Sequence, residues 1–118
     1  NHRFIQLNDL KVENAELIRL LNKELTIEIA EKRSYDEIHT QLAAYINDLI
    51  KNDFDKLIAY LYRIDVNEQK LKTLLQRNPE EDAGNIIADL IIERQRQKIK
   101  TREQFSTRDN NFEEEEKW

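Results

Sequence analysis

Over residues 52–105 apolar side chains recur at helical spacing, and the chain's only Pro and only Gly both fall inside that span. A backbone with so few turn formers reverses direction mainly at short corners between helices. Phe54, Leu57, Ile58, Leu61 and Tyr62 recur at i, i+3, i+4, i+7 and i+8, which predicts one apolar stripe of an amphipathic helix. Asp53 stands just before it, where a short carboxylate accepts from the orphan N–H groups of a first turn. Asp65, with Glu68 three residues on, reads as a variant capping box that restarts a helix at Val66. Val66, Leu71, Leu74 and Leu75 are expected to form the buried side of that helix. Asn78-Pro79 ends it, because Pro breaks the hydrogen-bond ladder and biases Asn78 away from helical angles.

The same dipeptide suits the start of a last helix, with Glu80, Glu81 and Asp82 at the positive end of its dipole. Gly84 weakens that start by about 1 kcal/mol relative to Ala, so the expected beginning slips toward Asp82 or Ala83. Ile86, Ile87, Leu90 and Ile91 then share a face, which continues into Arg94, Lys98, Thr101, Arg102 and Phe105. An apolar strip becomes a cationic one, while Ile92 and Ile99 lie well round from it. Either the second half of this helix is solvated, its long stems covering a core edge, or it is a basic arm for an acidic partner.

The segments FDKLIAYLYRIDVNEQKLK and IIADLIIERQRQKIKTREQF resemble a family of small, uncharacterised, all-helical bacterial proteins, over roughly residues 52–105. The resemblance rests on the YRIDV corner and the LIIERQ run. It implies a helical fold and a bacterial source, and it implies no catalytic residues.

Upstream, residues 1–12 fit neither helical nor strand period, and are expected to dock as a short helix or an extended arm. Residues 13–33 read as a helix with Leu17, Leu21, Leu25 and Ile29 as an i+4 ridge, Asn14 or Asp9 as cap, and Glu28–Lys32 as a surface pair. Residues 26–29 alternate like a strand, but a lone strand leaves its backbone unpaired, which favours helix there. Ser34 with Glu37 is the clearest capping box. Ile38, Leu42, Tyr45, Ile46, Leu49 and Ile50 follow at helical spacing to about Lys51, with Ala43 and Ala44 allowing another helix close.

At 118 residues the chain suits one domain, expected over residues 1–105, with a separate tail over residues 106–118. The absence of cysteine excludes disulfides, thiolate metal sites and thiol catalysis, and fits a reducing, cytoplasmic setting. No apolar run reaches the length of a membrane span. The first residue is Asn1, and a leader removed upstream would leave no trace here.

Chemistry-bearing patterns are sparse. Asp36 and His39 show a carboxylate-x-x-His spacing, but di-metal bundles need two such motifs and there is one. Asp53/Asp55 and Glu80/Glu81 sit at helix starts, where capping and the dipole account for them. A single Gly leaves no phosphate-cradling loop. The expectation is a protein that is not an enzyme and needs no cofactor.

One charge constellation stands out. Arg94, Arg96, Lys98, Lys100, Arg102 and Arg108 face only Glu103 in sequence, and residues 109–118 then carry five acids and one Lys. Residues 106–111 read as loop, and the adjacent carboxylates Glu113 to Glu116 resist compact structure. Phe112 and Trp118 bracket those acids, as in a docking peptide whose rings bury area while the acids steer. Two functions follow. In the favoured one the last helix and tail bind a protein partner, or a second copy, through Arg94, Lys98, Arg102, Phe105, Phe112 and Trp118. In the alternative the arm binds RNA or the ribosome and the acidic tail competes for it; the scatter of Arg96 and Lys100 off the main face counts against a groove reader. The fold expected is all-α, an irregular bundle of four to five helices with a long C-terminal helix and an acidic tail.

Overall fold

The computed structural model describes the backbone of residues 7–116 and the side chains of residues 13–103. Those residues form five helices and no strand: α1 (Leu7–Leu25), α2 (Tyr35–Asn52), α3 (Phe54–Ile64), α4 (Glu68–Arg77) and α5 (Ala83–Glu116). The all-α bundle with a long last helix is therefore the fold. No helix among the described residues is long and apolar enough to cross a membrane.

Local capping chemistry sets most of the corners. Ser34 Oγ accepts from the Glu37 N–H at 3.2 Å and Glu37 Oε1 accepts from the Ser34 N–H at 2.9 Å, which completes the expected capping box of α2. The Ser34 N–H holds the Glu37 carboxyl below its ordinary pKa by hydrogen bonding to its charged form. Asp53 ends α2 and starts α3, accepting from the Lys56 N–H as expected. Asn78 ends α4. The last helix begins at Ala83, with Asp82 accepting from the Asn85 N–H, so its start lies at the later of the two expected places.

The core is a single cluster. It joins Leu17, Leu21 and Leu25 of α1, Ile38, Leu42 and Ile46 of α2, Leu57 and Ile64 of α3, and Ile87, Ile91 and Ile92 of α5. The α2–α5 pair is the most extensive of the helix contacts. Ala43 is buried and Ala44 is exposed, so only the first of the two alanines lies in a packed surface.

Two upstream expectations change. Residue 7 is already helical, so Asp9 and Asn14 lie inside α1 rather than at its cap. That helix ends at Leu25, not near Arg33, because Thr26 takes a left-handed conformation (φ 53°) that a β-branched residue rarely adopts. Residues 26–30 are then non-helical, with Ile27 and Ile29 buried and Thr26, Glu28 and Ala30 exposed. The Glu28–Lys32 helix pair consequently does not form. The unpaired-backbone objection to an extended segment is met by one side chain. Asn22 Oδ1 accepts from the Ile29 N–H at 2.8 Å, and Asn22 Nδ2 donates to the Ile29 carbonyl at 3.0 Å. Its carboxamide thus stands in for a neighbouring strand.

Downstream, α5 is helical across residues 106–111, which the sequence suggested as loop. The described side chains show where the helix leaves the core: Ile99 is buried, whereas Lys100, Thr101, Arg102 and Glu103 are exposed.

Candidate functional site

The α3–α4 hairpin differs from its expected packing. Leu57, Tyr60, Leu61 and Ile64 face the core, and Phe54, Ile58 and Tyr62 of the expected stripe face outward, at 53%, 46% and 87% exposure. These two sets are adjacent rows of one helix, and the row ending in Ile64 is the one α1, α2 and α5 cover. An apolar ridge, each residue four after the last, is left on the surface.

The corner after α3 differs as well. Asp65 does not start a helix: it closes α3 in a left-handed conformation (φ 68°, ψ 50°). Its N–H reaches the carbonyls of Leu61 and Tyr62, and the Val66 N–H reaches Leu61 at 3.1 Å, the pattern that usually places Gly at this position. Asn67 caps α4 instead, accepting from the Lys70 N–H at 2.9 Å. Sequence spacing favoured Asp65 because it sits three before Glu68. The chain turns two residues later because Asp65, like Asn, tolerates the left-handed region in which α3 ends.

Helix α4 contains no buried residue. Val66, Leu71, Leu74 and Leu75, expected as its buried side, are only half-buried. Between Ile58, Leu61 and Tyr62 of α3 and Leu71 and Leu75 of α4 lies a groove of about 1030 Å³, floored by Leu90, Glu93, Arg94 and Gln97 of α5. Three ion pairs rim it: Lys70–Glu93 at 3.2 Å, Arg94–Asp65 at 3.3 Å and Lys72–Glu68 at 3.9 Å. All three are open to water, so their charges stay exchangeable at small energetic cost.

The cationic face of α5 is largely occupied within the chain. Arg94 donates from Nε to the Asp65 carbonyl at 3.1 Å as well as pairing with its carboxylate. Lys98 lies 3.9 Å from Glu24, which also accepts from Gln95 Nε2 at 2.8 Å. Arg96 stacks over the Tyr35 ring at 5.0 Å and approaches Glu13 at 3.6 Å. Of the residues singled out from the sequence, Arg94 alone lines the groove, and Arg102 is exposed. The side chains of Phe105 and Phe112 lie outside the described residues, although both positions are in α5, and Trp118 lies wholly outside them.

Sequence reading missed Gln95, the one fully buried polar residue among those described. A signal was present: Gln95 lies four after Ile91 and four before Ile99, in the core row of α5. His39 does not turn toward Asp36; its Nε2 lies 2.7 Å from Asp89 Oδ1 on α5, and its ring packs near Tyr35 at 6.1 Å. Comparison with family models, curated proteins and solved structures returns no match.

Proposed function

We propose that this chain is a non-enzymatic helical module that works by binding another protein chain in the α3–α4–α5 groove. The observation that carries the reading is the apolar ridge Phe54, Ile58 and Tyr62, exposed beside a helix with no buried residue. Contiguous apolar surface of this kind costs free energy in water and marks interaction sites on folded chains. The groove also has the form that receives an amphipathic helix, two helical walls over a third helix as floor. The cysteine-free composition supports a cytoplasmic setting for such a module, and the family resemblance supports a bacterial one.

The basic face enters this reading differently from the sequence expectation. Arg94 and Lys98 already meet Asp65 and Glu24, so on this helix the exposed cations outside those pairs are Lys100 and Arg102, the latter within the field of Glu16. That also draws support away from the nucleic-acid alternative, which needs a continuous set of uncommitted cations.

A photo-reactive residue in place of Tyr62 tests the proposal. Irradiation in native lysate should give a discrete protein adduct that the same residue in place of exposed Glu81 does not give. Adduct at neither position, or equally at both, overturns it.

A further inference from the structure

We infer that the occupant of the groove is residues 105–118 of a second copy of this chain, exchanged reciprocally in a closed dimer; the inference rests on the docking reading above. Three observations converge on it.

The first is reach. Helix α5 runs as one element from Ala83 to Glu116, and its groove-lining residues end at Gln97. Position 112 lies roughly 22 Å farther along the axis at ~1.5 Å per residue. The unbroken helix therefore carries residues 105–116 away from the chain's own groove.

The second is charge. Between Phe54 and Arg77, the hairpin that walls the groove, five cations stand against three carboxylates in a chain whose net charge is −5. Residues 109–118 carry five acids and one Lys. The most acidic segment of the chain and the cationic hairpin are complementary, which steers the encounter and sets its orientation.

The third is shape and area. Phe105 and Phe112 are seven residues apart, about 10.5 Å or two turns along a helix. The exposed ridge Phe54–Ile58–Tyr62 spans eight residues, about 12 Å, so it also runs two helical turns. Phe105, Phe112 and Trp118 bury about 150–250 Å² each when covered. Given twice by two-fold symmetry, with the receiving surfaces, they reach the ~1,200–2,000 Å² of a stable interface.

Sedimentation velocity on the purified 118-residue chain decides it. The wild type should sediment as a dimer that weakens as salt rises. Ile58→Glu with Tyr62→Glu changes only exposed groove positions, and Phe112→Ser with Trp118→Ser changes only the segment. Each pair should weaken self-association at least about tenfold while circular dichroism stays helical. An equimolar mixture of the two variants should associate more tightly than either alone, because one copy keeps a groove and the other a segment, although only one of the two exchanges forms. A monomeric wild type, a variant as dimeric as wild type, or a mixture that associates no better than its components overturns the inference. A monomeric wild type that still gives a position-62 adduct with a different protein sinks the second copy and leaves groove docking standing. Absence of any adduct sinks both.

Discussion

Gly84 lies against the Asn47 side chain so closely that a Cβ at position 84 would sit 2.6 Å from Asn47 Cγ, Oδ1 and Nδ2. The contact falls where α2 meets the start of α5, in the most extensive helix pair of the fold. Asn47 is not free to swing away without loss, because its Nδ2 donates to Asp82 Oδ2 at 2.9 Å. Asp82 in turn caps α5 by accepting from the Asn85 N–H at 3.1 Å. The glycine that weakens the helix locally is the residue that lets α2 approach its first turn.

Gly84→Ala should therefore destabilise, although helix propensity alone favours Ala by about 1 kcal/mol. Overpacking costs typically ~1–3 kcal/mol, and displacing the Asn47 carboxamide loses a hydrogen bond of about 0.5–1.5 kcal/mol. A net loss of ~1–2 kcal/mol in urea unfolding is expected. In an Asn47→Ala background the same substitution should instead stabilise. If the sign does not reverse, steric contact with Asn47 is not the cause.

Asn22→Ala should lower stability by about 2–3 kcal/mol, because the Ile29 N–H and C=O both lose their partner in a half-buried place. Hydrogen exchange gives the local readout. The Ile29 amide should lose its protection in the variant while amides in the middle of α2 keep theirs relative to global stability. Asn22→Asp keeps an acceptor and loses the donor, and should fall between the two. Unchanged exchange at Ile29 would count against the carboxamide's bridging role.

The left-handed corner at Asp65 makes a distinguishable prediction. Asp65→Ala loses the carboxylate that meets Arg94 and keeps the backbone conformation that costs an L-residue roughly 1–2 kcal/mol. Asp65→Gly loses the same carboxylate and relieves that conformation, so it should be more stable than Asp65→Ala by ~1 kcal/mol. Equal thermal midpoints for the two variants would show that the corner's conformation is not what matters.

Alkaline stability should depend on Tyr45. Its hydroxyl donates to the Leu25 carbonyl at 2.9 Å and meets the Tyr60 hydroxyl at 3.4 Å. Burial first, and then the Tyr60 hydrogen bond, push the Tyr45 phenol well above its ordinary value. Burial also pushes Tyr60 up, but the Thr26 and Tyr45 hydroxyls and the Lys56 ammonium outweigh it, so Tyr60 shifts down. A raised folded pKa contributes stability that is fully present below the unfolded value, about 10, and is lost as pH rises past it. The depressed Tyr60 works in the opposite sense, gaining as pH rises through its folded pKa. Wild type should lose stability as pH rises above about 10, and Tyr45→Phe should lose less. A variant whose melting temperature falls as steeply as wild type would exclude the buried phenol as the source.

Much of the candidate site was invisible in the sequence for one reason. The i, i+4 pattern of α3 identifies apolar residues but contains two adjacent rows, Phe54–Ile58–Tyr62 and Leu57–Leu61–Ile64. Which row is buried depends on where α1, α2 and α5 lie, and none of that is written within eleven residues of helix. The expected stripe mixed the two rows and concealed an exposed ridge. The basic face of α5 was read as available on the same footing. Lys98 and Glu24, or Arg94 and Asp65, are far apart in sequence, and only the fold brings each pair within ion-pair distance.

What the sequence determined by itself lay within about one helical turn. The Ser34–Glu37 box, the Asp53 cap and the stop at Asn78 satisfy backbone groups three or four residues away, so their partners are legible in the letters. The helical class follows for the same reason, as a sum of local spacings. Tertiary structure decided the rest: that residues 26–30 are not helical, held by Asn22; that Gly84 is needed by Asn47; and that α4 stays half-uncovered. Each of these depends on a partner brought close by packing, and close approach of distant chain segments has no local periodicity to announce it.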